Sequence, residues 1–318
     1  MAEDLTPASL HDYVWYVTER HHAWAARQIG LPREDWTQDP IIAAAKFCNS
    51  FRLLDRGSQF VARELLAPLA DGQEREALFR ALFYRFTNLP DAWENFLQRV
   101  GRYPLEEDLG PEGTLRRVMG EWQASGGRVF SGAYTIGPGP NNTGVPRLEF
   151  AIRVAESIMR SPVADEVLAA EGVEARVRTL AAAPQMGVFI ALQTQTDFGY
   201  RFGDTEDQWA GIGPGSRRGL QRLFPRETFG LSREAQARSL DHMRELQALV
   251  EESPRAPRIE LADGTARGLS IMDIQNTLCE FDKYVRAQHS ESRRVRRFTP
   301  STEPLEDPFI PPHWCSLD

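Results

Sequence analysis

Asn49, Arg52, Arg56 and Gln59 are spaced so that a helix turning about 100° per residue gathers all four on one face about 80° wide. Phe47, Phe51, Leu54, Ser58, Val61 and Leu65 fall on the opposite face, and Asp55 lies at the seam. A merely solvated face usually mixes Glu, Lys, Ala and Gln. This one carries two guanidinium groups, two amides and a carboxylate, with Gly57 among them at about 1 kcal/mol of helix propensity relative to Ala. A surface ladder of ion pairs is one interpretation. The other is an anion-binding surface facing a cleft, because guanidinium forks match phosphate and carboxylate oxygens.

A second group lies on the helix expected from Ser270 to Gln288, where Ser270 and Asp273 form a capping box. Ile274, Leu278, Phe281 and Val285 give its apolar stripe, and Asn276, Glu280, Asp282, Lys283 and Tyr284 stand around it. Two carboxylates beside an ammonium and a phenol suit general acid–base work on a helix bordering a cleft. A solvated face with i,i+3 ion pairs explains the same residues.

Two glycine-containing turns come next. Gly211 to Gly219 precedes a helix, so backbone N–H groups at Gly213 and Gly215, the Ser216 cap and the Arg217 and Arg218 guanidiniums suit a phosphate clamp. A plain loop-to-helix junction is the alternative. It is no Walker A loop, because GxxxxGK[ST] is absent. Pro184-Gln185-Met186-Gly187 joins two expected helices and resembles the helix-hairpin-helix of DNA repair glycosylases, with Gln185 in place of the first glycine. Asp207 stands where that family keeps an essential aspartate, and Phe189 fills the place of the lyase branch's lysine. An unrelated tight turn accounts for the hairpin equally.

The elements that must position these groups are helical. Apolar periodicity predicts helices over 8–28, 40–67, 73–86, 91–101, 112–124, 148–160, 164–182, 188–200, 215–224, 232–251 and 270–288. Strand character is confined to Arg258–Leu261, with Asp263-Gly264 as a hairpin turn. An all-α, multi-helical fold with minimal β structure follows. The expected division is a helical region over 1–136, a hairpin-containing region over 145–299, divided from it by the Gly/Pro/Asn stretch 137–144, and a Pro-rich tail over 300–318 that runs extended over the surface.

The 318 residues suffice for one large or two ordinary domains, and 42% hydrophobic content is that of a soluble globule. No apolar run approaches the ~20 residues of a membrane span, and the acidic N-terminus has no signal-peptide character. Cys48, Cys279 and Cys315 lack disulfide or zinc spacing, and the histidines lack metal spacing, so no metal site is expected from motifs. A net charge of −8 argues against a nonspecific nucleic-acid coat. Local basic clusters, from Lys283 to Arg297 and at Arg217, Arg218, Arg222 and Arg226, suit a single polyanionic ligand or a plain basic tail. Only Lys46 and Lys283 among the 37 basic residues are lysines.

Several strings in order resemble one family: Phe47 to Gln59, Tyr84-Arg-Phe-Thr-Asn88, Ser131-Gly-Ala-Tyr134, Gly187 to Ala191 with Asp197, Gly213 to Gly219, and Leu278 to Tyr284. They resemble the alpha-glutamyl/putrescinyl thymine pyrophosphorylases of DNA-hypermodifying phages, also described as amino acid:DNA transferases. The helical domain attached to phage 5-hydroxymethyluracil DNA kinases is similar over the same 40–290 span. The kinases' P-loop motif is missing from this sequence, which points to the transferase branch.

The resemblance implies displacement of phosphate or pyrophosphate from a modified thymine in DNA by the amine of an amino acid or polyamine, in the cytoplasm of an infected bacterium. It assigns Arg52, Arg56, Arg85 and Lys283 to the departing oxygens, and Asp55, Glu280 or Asp282 to deprotonating the incoming ammonium. Asn49, Gln59 and Asn88 would read the uracil edge or a donor carboxylate, with Asp197 also in the substrate site. Tyr134 or Tyr284 would pack on an extruded base. Gly187 and the Gly213–Arg218 turn would grip double-stranded DNA. Magnesium suits a departing pyrophosphate, although no carboxylate cage for it is visible. A noncatalytic DNA-binding module working with a kinase, and a base glycosylase using Asp207, are the alternatives.

Overall fold

Side-chain caps set several helix starts. Ser9 with Asp12 and Ser270 with Asp273 form reciprocal capping boxes, and Asp39 accepts from the N–H groups of Ile41 and Ile42 ahead of Pro40. Helices end where the backbone turns left-handed, at Asn88 and Gly101. The computed structural model describes residues 5–132, 144–203, 206–291, 296–300 and 305–315. Among them the α-helices are α1 (Leu10–Gln28), α2 (Pro40–Ala44), α3 (Arg56–Phe60), α4 (Glu74–Thr87), α5 (Pro90–Val100), α6 (Thr114–Ala124), α7 (Arg147–Met159), α8 (Val163–Ala169), α9 (Val173–Ala181), α10 (Val188–Gly199), α11 (Pro214–Leu223), α12 (Arg233–Glu251) and α13 (Ile271–Gln288). The β structure is one antiparallel pair, β1 (Ile259–Glu260) and β2 (Ala266–Arg267), whose turn contains Gly264 at φ +81°. The fold is all-α with a minimal sheet, as expected.

The chain forms two compact units: Met1–Asp55 with Glu206–Asp318, and Arg56–Thr205. This division interleaves the sequence, whereas the expected one was sequential with a break near 140. Residues 133–143, which hold most of the expected divider, lie outside the described residues.

In the first unit, α13 is the central element. Its Ile274, Leu278, Phe281 and Val285 are buried with Tyr13, Tyr16 and Val17 of α1 and Met243 and Leu246 of α12. The Tyr13 and Thr277 hydroxyls hydrogen-bond at 2.7 Å, satisfying two polar groups within this core. Helices α11 and α13 pack closely because Gly215 and Gly219 lack side chains. A Cβ at Gly215 would stand 2.3 Å from Cys279 Sγ, and one at Gly219 2.3 Å from the Leu278 carbonyl oxygen. Pro312–Trp314 of the tail forms a 3₁₀ turn that buries Trp314.

In the second unit, α4 is buried on every side from Ala77 to Thr87 and packs with α7, α10 and the π-helical turn Val61–Leu66. The expected helix 164–182 is two helices, α8 and α9, because Gly172 takes φ +81° between them.

The largest departure is at 40–67. One helix was expected; α2 instead stops at Ala44, Ala45 is extended, and Arg52–Leu54 is a single 3₁₀ turn. Regular helix resumes only at Arg56. Tertiary hydrogen bonds overrode the periodicity. Lys46 N–H donates to Arg296 O and Phe298 N–H to Ala44 O, so the 296–298 segment pairs with 44–46 and draws it into extended form. The opposed stripes on one helix are therefore not realised.

Candidate functional site

Three side chains spaced along one stripe of α13 hold the non-α-helical segment 48–52 by its backbone. Asp273 Oδ1 accepts from Arg52 N–H at 2.6 Å, Asn276 Nδ2 donates to Asn49 O at 3.2 Å, and Glu280 Oε2 accepts from Cys48 N–H at 3.0 Å. These positions recur every three to four residues and so share a face. Ser50 Oγ adds a bond to Val17 O of α1 at 2.8 Å. The segment cannot become helix without breaking all of them.

Asn49 is the keystone of the resulting cluster. Its N–H donates to Asp55 Oδ1 at 2.8 Å, its Nδ2 to Leu54 O at 2.6 Å, and its Oδ1 accepts from Arg20 Nη2 at 2.5 Å. Every polar group of Asn49 is thus engaged, and its role is to position Asp55 and Arg20. Asp55 keeps one carboxylate oxygen in the Asn49 bond, and its other oxygen meets no donor among the described residues. Burial pushes the Asp55 carboxyl up to about 6; the Asn49 N–H and the Arg52 and Arg20 guanidiniums oppose that rise and Glu280 adds to it. Lys283 Nζ donates to Glu280 Oε2 at 2.7 Å and lies 4.8 Å from the centre of the Phe47 ring. The Cys48 thiol is raised, first by burial and then by Asp55 and Glu280, so it is not a thiolate nucleophile. Of the expected residues, the structure brings together Asn49, Arg52, Asp55, Glu280 and Lys283. Arg20 joins them unforeseen, since it carries no motif and reaches the cluster only through the fold.

Other expected roles are displaced by structural ones. Asp282 is fully buried and bound by three guanidiniums, from Arg218 Nε at 2.9 Å, Arg222 Nε at 2.9 Å and Arg286 Nε at 3.2 Å. Its carboxylate is an internal anchor rather than a general base, and Arg218 is correspondingly committed. Tyr284 donates to Asp39 Oδ2 at 2.9 Å and its ring packs with Tyr16, so it does not stack on a base. Arg52 is only 2% exposed, and its guanidinium lies close enough to Asp55 to oppose the rise of that carboxyl. In the Gly213–Arg218 turn, Gly213 N–H is bonded to Ser216 Oγ at 2.9 Å, Ser216 is buried beneath Gln275, and Gly215 serves helix packing. Arg217 stands exposed in that turn, and its guanidinium has no bonded acceptor among the described residues. Asp207 accepts from Ile271 N–H at 2.9 Å, Gln247 Nε2 at 2.8 Å and Arg244 Nη1 at 3.0 Å, capping the start of α13. The glycosylase assignment loses its residue to that cap.

Arg56, Gln59, Arg85, Asn88, Asp197 and Gly187 belong to the second unit. Arg56 is an exposed partner of Asp91 at 3.2 Å, and Gln59 is half-buried on α3. Arg85 binds Asp197 in a bidentate pair inside the core, with side-chain exposures of 4% and 0%. A guanidinium so neutralised does not receive a diphosphate; the pair instead ties α4 to α10. Asn88, at φ +46°, ends α4 and donates to Ser131 Oγ at 3.3 Å. Gly187 precedes α10, and Gln185 in the same turn takes φ +66° at the position where the hairpin pattern has glycine. Tyr134 lies outside the described residues. No group of three or more His, Cys, Asp or Glu suited to a metal occurs among the described residues, and none of their helices is long and apolar enough to cross a membrane.

The sequence pattern of the 5-hmdU DNA kinase helical domain matches residues 8–294, and the chain belongs to that family. It is also similar to a 5-hmdU DNA kinase of Bacillus phage SP10, 26% identical over 233 residues that cover 67% of this chain and 36% of the phage protein. The chain thus spans about a third of that relative's length. No solved structure matches. The relation places the chain in the context of phage DNA modification.

Proposed function

We propose that this protein is a thymine-hypermodification transferase that displaces phosphate or pyrophosphate from 5-(pyro)phosphomethyldeoxyuridine in phage DNA with the amine of an amino acid or polyamine, in the cytoplasm of the infected host. One observation carries the reading: Asp55, lifted to about 6, presents an open carboxylate oxygen beside the Glu280–Lys283 pair. A base poised near neutrality suits deprotonation of an ammonium nucleophile. The proton passes to Asp55, the amine lone pair forms the C–N bond at the exocyclic methylene, and the C–O electrons leave with the phosphate. Lys283, bonded to Glu280 through one donor and partly exposed, keeps further ammonium N–H groups for the departing oxygens. Exposed Arg217 and the turn at Gly187 supply contacts to DNA phosphates, and the target base leaves the stack to react.

The test is incubation of DNA bearing phosphorylated or pyrophosphorylated 5-hydroxymethyluracil with an amine pool, with and without magnesium, followed by nucleoside mass spectrometry. A new amine adduct with stoichiometric phosphate or pyrophosphate release supports the transferase. An abasic product overturns it. The relation to a kinase over 36% of that kinase's length favours one second reading, a noncatalytic DNA-binding module. Bound but unchanged DNA would establish that alternative.

A further inference from the structure

Arg20 is the one residue of the Asn49 cluster whose polar capacity is mostly unspent. It lies on α1, partly buried, and Nη2 donates to Asn49 Oδ1 at 2.5 Å and to Phe47 O at 3.5 Å. A guanidinium has five N–H donors in a planar fork. Nε and Nη1 of Arg20 meet no acceptor, and no carboxylate pairs with this charge, among the described residues. Nearby Lys283 differs, since it has a carboxylate partner in Glu280 at 2.7 Å. The open cation and the open carboxylate share one support: Asn49 receives Arg20 on its side-chain oxygen and gives its N–H to Asp55. A cation with spare donors and a carboxylate with a spare oxygen, held one residue apart, are complementary to an ammonium and a carboxylate on a single carbon.

We propose that Arg20 is the specificity-determining residue for the amine donor, and that the donor is an α-amino acid bound as its zwitterion, its carboxylate on the Arg20 fork and its ammonium on Asp55. This rests on the transferase reading of the same site and narrows its donor class. A diamine would set a second ammonium against an unpaired guanidinium, and like charges placed together discriminate against the wrong ligand. Arg20 holds and orients the donor, and takes no proton in the reaction.

The experiment compares glycine, L-serine and L-glutamate with glycinamide and putrescine as donors to the full chain and pyrophosphorylated DNA. The amino acids are expected to outcompete glycinamide and putrescine by about tenfold or more in kcat/KM, the range of one charge-assisted contact. Arg20→Gln keeps a donor for Asn49 Oδ1 but loses the fork. It is expected to raise the amino-acid KM by about 10- to 100-fold, leave inhibition by inorganic pyrophosphate unchanged, and abolish the preference over glycinamide. Arg20→Lys restores part of the preference. Wild-type preference for putrescine, equal use of glycine and glycinamide, or loss of pyrophosphate inhibition in Arg20→Gln each overturns the proposal. If no donor yields an adduct, the transferase reading fails, and equilibrium binding of glycine and L-glutamate against glycinamide decides the inference separately. Arg20-dependent binding of the amino acids supports it, and equal binding to Arg20→Gln contradicts it.

Discussion

Two clusters in this protein use the same residue types to opposite ends. In the second unit, Arg85 and Asp197 neutralise each other completely, side by side in a core that excludes water. In the first, Asp55 and Arg20 both lean on Asn49 and neither charge is satisfied by the other. A buried bidentate pair costs desolvation of two ions and regains it only through mutual attraction, so it is locked. The Asn49 arrangement leaves an open carboxylate oxygen and open guanidinium donors, the condition for binding something else. Asp282 with its three arginines belongs with the locked cluster, although it is only two residues from Glu280. The lesson is that availability, rather than residue type, separates a site from a scaffold.

The sharpest break between the two would come from Asp55→Asn and Arg85→Ala. Asp55→Asn is expected to lower the rate of adduct formation by about 10²- to 10⁴-fold, the usual worth of a general base, with the helical circular dichroism spectrum unchanged. Arg85→Ala strands the Asp197 carboxylate in the core and is expected to destabilise the protein by about 3–5 kcal/mol in urea denaturation. The double change Arg85→Met with Asp197→Leu should recover most of that loss, because a locked ion pair is replaceable by apolar packing. Failure of the double variant to recover would assign the pair a role beyond structure.

Smaller effects sharpen the comparison. Gly215→Ala places a methyl against Cys279 Sγ and is expected to cost about 1–3 kcal/mol by overpacking, without changing the affinity for DNA measured by fluorescence anisotropy. Weakened binding at intact stability would return that turn to a phosphate-gripping role. The pH dependence of stability gives a last contrast. Folding lifts the Asp55 carboxyl from 3.8 to about 6, so the folded state holds that proton more tightly than the unfolded chain. Its contribution is complete below pH 3.8 and is lost as pH rises through about 6. Asp55→Asn removes that decline, and its advantage over the wild type should grow between pH 4 and 6, to about 3 kcal/mol at neutrality.

Helix content was legible where the signal was local. The Ser270–Asp273 cap, the apolar stripe of α13 and the Asp263-Gly264 turn all depend on neighbours in sequence. The 40–67 segment was not legible, because what extends it lies far along the chain, on α13 and at 296–298. Periodicity alone favoured a helix that these partners forbid. Glycine before a helix start points Gly215 to a phosphate cradle, but the four-residue spacing of Gly215 and Gly219 is itself the signature of close helix packing. Asp282 and Glu280 are about 200° apart on α13, so one angular step held the information that they face different surroundings. Arg20 had no such signal, since an isolated arginine acquires meaning only from the Asn49 oxygen that the fold brings to it.

The most direct test of an available carboxylate at this site is a ¹³C NMR titration of the aspartate side-chain carboxyls, with Asp55→Asn supplying the assignment. The account predicts a midpoint for Asp55 near 6. A midpoint near 4, the ordinary range of an exposed aspartate, would contradict it.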